Sequence, residues 1–225
     1  MKKRTFSMLV SVGVALILLF TGLFWKFDIK AFASDVSSKD IVVNNEYTIP
    51  DSFDWCTYYV VVATNNTGKD ICISADFVAL DNNGNVVSKV NDYTEAVRKD
   101  QQFILYGQFL NTEIKKAVKY QYVFNVSETD NCTYNSVDLD TSKIGGCIEV
   151  SATNYSSKDI QGVGVRTVFL KNGRPVAFDT VNIADVGYVF HGGSTNSQVI
   201  GYNAGTYDDY IMTYTSAGNG ELIDF

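Results

Sequence analysis

Four cysteines and one histidine are the residues of this 225-residue chain best suited to redox, nucleophilic or metal chemistry. The cysteines include no Cys-x-x-Cys spacing, which disfavours a thioredoxin-like centre or a zinc ribbon. His191 lies three residues from Ser194, but that spacing alone carries no triad geometry, and no Gly-x-Ser-x-Gly elbow is present. The sequence therefore predicts no catalytic histidine and no cofactor.

The carboxylates offer a weaker possibility of acid–base chemistry. Asp138, Asp140, Asp208 and Asp209 could form a catalytic pair, but they fall at predicted turns and strand ends, where solvated charge is the ordinary explanation. Residues 81–85, Asp-Asn-Asn-Gly-Asn, lack the spacing and the later Glu of a calcium loop. We interpret them as a hairpin turn, because Asn and Gly tolerate positive φ. No metal site is predicted.

Composition narrows the class of protein. The formal net charge is −7, with 19% charged and 46% hydrophobic residues. This balance is typical of a folded chain. An acidic surface disfavours nucleic acid as a partner, since phosphate binding needs clustered Lys and Arg.

The N-terminal segment, residues 1–33, has the order of a secretory signal peptide. Residues 1–4 carry three basic side chains, residues 5–25 are uncharged and rich in Leu, Val and Phe, and Ala31-Phe32-Ala33 supplies a small-x-small site. Cleavage after Ala33 is predicted. The uncharged run is also long enough to span a bilayer, so an uncleaved signal-anchor helix is the alternative. Both interpretations place the rest of the chain outside the cell, secreted or held at the outer face of the membrane.

An even number of cysteines in an exported chain suggests two disulfides, with three possible pairings. We favour sequence neighbours, Cys56 with Cys72 and Cys132 with Cys147. Four buried thiols are the alternative.

The remainder of the chain repeats itself. Ala63-Thr64-Asn65 recurs as Ala152-Thr153-Asn154, 89 residues later, and two further blocks recur in the same register. Those blocks are Lys69-Asp70-Ile71 with Lys158-Asp159-Ile160, and Asn83-Gly84 with Asn172-Gly173. We predict two tandem domains, residues 34–131 and 139–225, joined by a linker at 132–138.

Strand signals dominate both copies. Residues 71–80 place apolar side chains at every second position, and short runs rich in Val, Ile and Tyr are separated by turn residues. The predicted strands are 58–64, 71–80, 103–109, 119–126, 147–152, 160–170, 175–181, 187–191, 198–202 and 209–215. The fold class is therefore all-β, with two tandem β-sandwich domains. Tyr58, Tyr59, Tyr120 and Tyr122 are interpreted as cross-strand packing residues or, alternatively, as a contact surface.

The run Phe77-Val78-Ala79-Leu80-Asp81, followed by Gly84 and Val86-Val87, resembles the signature of FxLYD domains. The second copy departs from it at Thr167 and Lys171. The resemblance implies small immunoglobulin-like sandwiches in an exported bacterial protein, commonly without an enzymatic role. It implies no functional residue.

Two functions follow as hypotheses. The first is a noncatalytic extracellular or cell-surface module that acts as a spacer or binds a protein or glycan partner. The alternative is a secreted, carboxylate-dependent hydrolase on a sandwich fold. A pocket with two facing carboxylates would favour the second hypothesis.

Overall fold

A computed structural model describes residues 36–133 and 136–218 of the chain. A short 3-10 helix, Ser38–Asp40, precedes a succession of antiparallel strands. The strands are Ile41–Pro50 (β1), Cys56–Asn65 (β2), Ile71–Leu80 (β3), Val86–Val97 (β4), Gln102–Leu110 (β5), Lys119–Glu128 (β6), Val137–Ile144 (β7), Cys147–Asn154 (β8), Ile160–Gln161 (β9), Val163–Lys171 (β10), Arg174–Ile183 (β11), Val189–Phe190 (β12), Thr195–Ile200 (β13) and Asp209–Thr215 (β14). The all-β prediction is confirmed for these residues.

None of the helices within 36–133 and 136–218 has the length and apolar character needed to cross a bilayer. The predicted signal or anchor segment, residues 1–33, lies outside the described residues.

The first half of the described chain is two sheets packed face to face. One sheet has the strand order β1-β2-β5 and the other β4-β3-β6. Strand β3 alternates buried and half-buried residues along its whole length, as a strand with one face on the core must. Its buried face packs with β2 and β5 around Phe77, Phe103 and Phe109.

The second half repeats this arrangement. Its sheets have the orders β13-β8-β7 and β11-β10-β14, with β9 and β12 forming a small additional sheet. Its core is separate from the first and is built around Phe169, Phe190 and Ile183. Strand β7 begins at Val137, inside the stretch 132–138 that the sequence analysis assigns to the linker.

The repeated Asn marks the same turn in both halves. Asn65 is fully buried, and its Nδ2 donates to the carbonyls of Lys69, Val97 and Arg98 while its Oδ1 accepts from the backbone N–H and hydroxyl of Thr67. Asn154 makes the equivalent bonds to Lys158, Phe190, His191 and Ser156. Each Asn thus satisfies a buried turn whose backbone groups would otherwise lack partners.

A third apolar core joins the two halves. It contains Val60, Val62 and Ile104 from the first half and Val168, Leu170 and Phe178 from the second. The sheet β1-β2-β5 therefore has apolar side chains on both of its faces. The described residues of both halves belong to one compact unit, as a shared apolar layer of this kind requires.

A buried ion pair lies beside this joint core. The two terminal guanidinium nitrogens of Arg166 on β10, Nη1 and Nη2, donate to the Asp92 carboxylate on β4 at 2.6 and 2.9 Å. The two side chains are only 20% and 14% exposed. The guanidinium also donates to the Ile104 carbonyl and lies 5.1 Å from the Tyr106 ring centroid. The carboxylate accepts a further bond from the Tyr106 N–H at 3.0 Å, so the pair is well hydrogen-bonded.

Most predicted strands are found, and three observed strands were not predicted. These are β1, β4 and β7, each at the end of its sheet. Strands β1 and β7 are largely exposed, and polar residues interrupt the apolar ones in β4, so all three carry little of the hydrophobic alternation on which the sequence analysis relies.

Candidate functional site

A cleft of about 680 Å³ lies at the side of the first half, where β1 and β6 are the outermost strands of the two sheets. It is lined by residues of β1, β2, β3, β4 and β6: Glu46, Tyr59, Asp76, Val78, Lys89, Lys119, Tyr120, Gln121, Tyr122 and Val123. Aromatic rings and charged groups of both signs are thus within reach of one ligand, and we take this cleft as the candidate site.

The Glu46 carboxylate is held by two tyrosines. The Tyr59 hydroxyl donates to Oε2, and the Tyr122 hydroxyl donates to Oε1 at 3.0 Å. Tyr59 comes from β2 at the floor, Tyr122 from β6 and Glu46 from β1, so three strands fix one anion. The charge-assisted bonds give this exposed carboxylate a defined orientation.

The tyrosine rings form a continuous wall. Tyr59 stacks on Tyr120 with ring centroids 5.4 Å apart, and it lies 6.1 Å from the Tyr122 ring. Tyr120 continues inward to Phe109, at 5.3 Å. The wall is therefore an extension of the apolar core to the surface, where Tyr120 and Tyr122 remain only half buried.

Burial, and for two of them the neighbouring carboxylate, raises the pKa of these tyrosine hydroxyls. Desolvation, with added hydrogen bonding and repulsion from Glu46, raises the pKa of Tyr122 to about 12. The same causes raise the pKa of Tyr59, and burial alone raises that of Tyr120. At neutral pH the hydroxyls of Tyr59 and Tyr122 are donors to Glu46.

The two carboxylates of the cleft do not face each other. Phe77 is opposite Tyr122 in the β3–β6 ladder and Asp76 is opposite Val123, so Asp76 lies on the outer face of the sheet while Tyr122 points inward. Asp76 is engaged by the Lys89 ammonium at 3.4 Å. Strand β6 separates Asp76 from Glu46, an arrangement that does not match the facing pair of a glycosidase.

The four other predicted acid–base candidates lie in two places, two on β7 and two at the start of β14. Asp138 lies at the start of β7, and Asp140 lies two residues further along it. Asp208 and Asp209 lie at the opposite end of the second half, where Asp208 accepts the backbone N–H of Asn172 at 2.8 Å. No cluster of three or more His, Cys, Asp or Glu in the described ranges is arranged to hold a metal ion.

His191 is engaged with a carboxylate rather than a nucleophile. Its Nδ1 lies 3.2 Å from the Asp159 carboxylate, and its side chain is about half exposed. Asp159 also accepts the Gly192 N–H, so the pair fastens a surface loop.

The structure contains the four cysteines as free thiols, and it places the partners favoured by the sequence analysis far apart. Cys56 begins β2 and Cys72 follows the turn at the far end of that strand. Nine strand steps of about 3.3 Å separate the two ends, whereas disulfide-linked Cα atoms lie within about 7 Å. Neighbours in sequence are here at opposite ends of the sandwich.

The second predicted pair fails for the same reason. Cys132 forms an isolated backbone β-bridge with Ala217 before β7 begins, and Cys147 pairs with Ile144 where β7 ends. The length of β7 separates them. Burial and the Asp70 carboxylate raise the pKa of the Cys132 thiol to about 12, and burial and Glu95 raise that of Cys72.

Sequence reasoning missed a second exposed feature, the tip of the β1–β2 hairpin. Phe53 and Trp55 are 77% and 60% exposed there. The tip is nevertheless fixed, since the Asn111 amide donates to the Asp54 carbonyl and carboxylate, each at 2.9 Å. A rigid loop with two exposed aromatic rings is a suitable contact surface.

Sequence reasoning named Tyr59, Tyr120 and Tyr122 but not their partner Glu46. The tyrosines lie in strong strand patterns, whereas Glu46 lies in the unpredicted strand β1. Tyr58, the fourth tyrosine named, packs in the joint core between the halves.

No family model and no curated protein matches this chain. Among solved structures, a red sea bream transglutaminase aligns over 80% of this chain and 27% of its own, at 8% identity and a TM-score of 0.29. A β-glucuronidase from glycoside hydrolase family 2 aligns over 84% and 23%, at 12% identity and a TM-score of 0.17. The chain spans about a quarter of the length of each.

Proposed function

We propose that this protein is a noncatalytic extracellular contact module, exported through residues 1–33 and built from two immunoglobulin-like domains of the FxLYD type. It binds its protein or glycan partner through the β1–β6 cleft. The observation that carries the proposal is the tyrosine wall around Glu46, an apolar surface with one oriented anion that is left accessible.

Three features support a binding role over a catalytic one. The carboxylates of the cleft lie on opposite faces of a sheet, and Asp76 forms an ion pair with Lys89. The rings offer flat apolar area with polar edges, the chemistry of protein and glycan contacts. The joint core and the Arg166–Asp92 pair fix the two halves together, which limits the entropy lost when a partner is bound.

Binding of labelled full-length protein, purified in mild detergent, to the native cell envelope tests the proposal. We expect Tyr120→Ala to weaken binding by about tenfold, in line with truncation of a central aromatic contact. Tyr202→Ala is the matched control, because Tyr202 is an exposed tyrosine of the second half. Equal binding by all variants, or a loss with Trp55→Ala alone, would overturn the assignment to the cleft. No binding above background would leave a passive spacer.

The export route has its own test. Mass spectrometry of the exported protein is expected to find Ser34 at the N-terminus. An intact Met1 in the membrane fraction would establish the anchor instead.

A further inference from the structure

Among the described residues, the first half has a closed side, where its two sheets adjoin, and a more open side, where the 3-10 helix Ser38–Asp40 contacts β6. On the closed side β4 and β5 adjoin, and the Tyr106 N–H of β5 donates to the Asp92 carboxylate of β4. On the open side β1 and β6 are the last strands of their sheets among the described residues. The cleft lies between these two edges, so any ligand in it meets strand edges as well as side chains.

The inward face of β6 is incompletely covered. Tyr120, Tyr122, Phe124 and Val126 pack against the core yet stay half buried, while the residues between them point outward and are exposed. A further strand beside β6 would cover these apolar groups and pair its edge, as in peptide recognition by strand addition.

Charge adds a requirement on the occupant. Two tyrosine hydroxyls orient the Glu46 carboxylate but leave its negative charge in place. A carboxylate beside tyrosine rings suits a guanidinium or ammonium group, through ion pairing and cation–π contact.

The molecule contains this recognition chemistry elsewhere. Arg166 binds the Asp92 carboxylate and lies over the Tyr106 ring, 5.1 Å from its centroid. In the second half, Lys143 of β7 lies 5.8 Å from the Tyr207 centroid. Cations of this chain thus already pack on its tyrosines, and Arg166 does so beside a carboxylate.

We propose that the β1–β6 cleft binds an extended segment of a partner protein, which adds to β6 as a fourth strand and places an Arg or Lys against Glu46. This inference rests on the proposed function and specifies the partner. Backbone pairing supplies affinity, and the Glu46 anion supplies selectivity.

The test selects peptides that bind the full-length protein in detergent from a displayed library of linear peptides. The peptides have about ten residues, which is long enough to follow one strand. We expect selected peptides to alternate apolar and polar residues and to carry a basic residue. Replacing that residue with Glu, or N-methylating alternate backbone amides, is expected to weaken binding by about tenfold or more. Hydrogen exchange is expected to slow in β6.

Variants of the protein test whether the basic residue of the bound peptide lies against Glu46. Glu46→Arg is expected to reverse the preference toward the Glu-containing peptide, whereas Asp140→Arg on β7 leaves it unchanged. If Glu46→Arg fails to fold, Glu46→Gln is used in its place. It is expected to remove the preference for the basic peptide over the Glu-containing peptide. Peptides that tolerate N-methylation, ignore Glu46 or protect another strand would overturn the inference, as would the absence of any selected peptide.

The two proposals fail separately. If no peptide is selected but envelope binding still depends on Tyr120, the contact function stands and strand addition falls; release of that binding by oligosaccharides would assign a glycan partner. If envelope binding is also independent of the cleft, both proposals fall.

Discussion

At the scale of single residues, the strongest constraints come from polar groups that are buried and satisfied. Asn65 and Asn154 have no exposed surface, and each bonds to several backbone groups of its own turn. These side chains supply the hydrogen bonds that a neighbouring strand would supply in a sheet. A buried carbonyl or N–H without a partner is costly. Their recurrence in the sequence is therefore explained by folding, without a ligand.

Replacing either Asn tests this explanation. Asn65→Ala removes the donor shared by three carbonyls and is expected to lower the free energy of unfolding by about 3 kcal/mol, since several buried groups lose their partner. Urea unfolding measures the change. Asn125→Ala, at an exposed position of β6, is the matched control and is expected to change it by less than about 0.5 kcal/mol. Equal changes in the free energy of unfolding for Asn65→Ala and Asn125→Ala would show that the buried hydrogen bonds of Asn65 add no stability.

The cysteines differ from reactive thiols by their surroundings. Because the pKa of Cys132 is raised to about 12, its thiolate is scarce at pH 8.5. We expect alkylation by iodoacetamide at that pH to be about 100-fold slower or more than in the urea-unfolded protein. Mass spectrometry of tryptic peptides measures the rate.

The Asp70 carboxylate is one cause of that shift, so Asp70→Asn is expected to lower the pKa of Cys132 and speed its alkylation. Complete absence of alkylation in the unfolded, unreduced protein would instead show that Cys132 is in a disulfide.

At the scale of elements, the joint between β4 and β10 determines how the halves are held. Burial raises the pKa of Asp92 despite the opposing effect of the Arg166 guanidinium. The folded protein therefore binds more protons than the unfolded chain between the two pKa values of Asp92. Its stability falls as the pH rises through that window.

A double-mutant cycle tests the pair. Arg166→Met leaves the buried Asp92 carboxylate without its counter-ion and is expected to lower the free energy of unfolding by about 3 kcal/mol. The double variant Asp92→Leu/Arg166→Met is expected to lose less than the sum of the two single changes, because it leaves no unpaired charge. Urea unfolding at pH 7 measures all four proteins. Additive losses would contradict coupling across the joint.

At the scale of the whole molecule, the described residues form three apolar cores, whereas two independent domains would need only two. The third, around Val60, Ile104 and Val168, exists only when both halves are folded and adjacent. Coupling through such a layer favours cooperative unfolding of the described chain.

Calorimetry of the full-length protein in detergent tests this coupling. We expect one unfolding transition for residues 34–225, and separation into two transitions in Val168→Asp, which places a charge in the joint core. Val176→Asp, at an exposed position of β11, is the control and is expected to keep one transition. Two separate transitions in the unsubstituted protein would instead support independent domains.

The sequence by itself determined the strand-rich class of fold and most of the strands, because these depend on local alternation and turn residues. Strand β3 was predicted at its observed bounds, since one of its faces is wholly buried. Strands β1, β4 and β7 were not predicted, because polar residues interrupt their apolar alternation.

Only the tertiary structure decided the site. Glu46, Tyr59 and Tyr122 meet because β1, β2 and β6 adjoin in space, and no local pattern records which edges of two sheets come together. The same holds for Asp92 with Arg166, 74 residues apart in the chain. The same reason applies to the cysteines. When one long strand lies between two cysteines that are near in sequence, that strand holds them far apart in space.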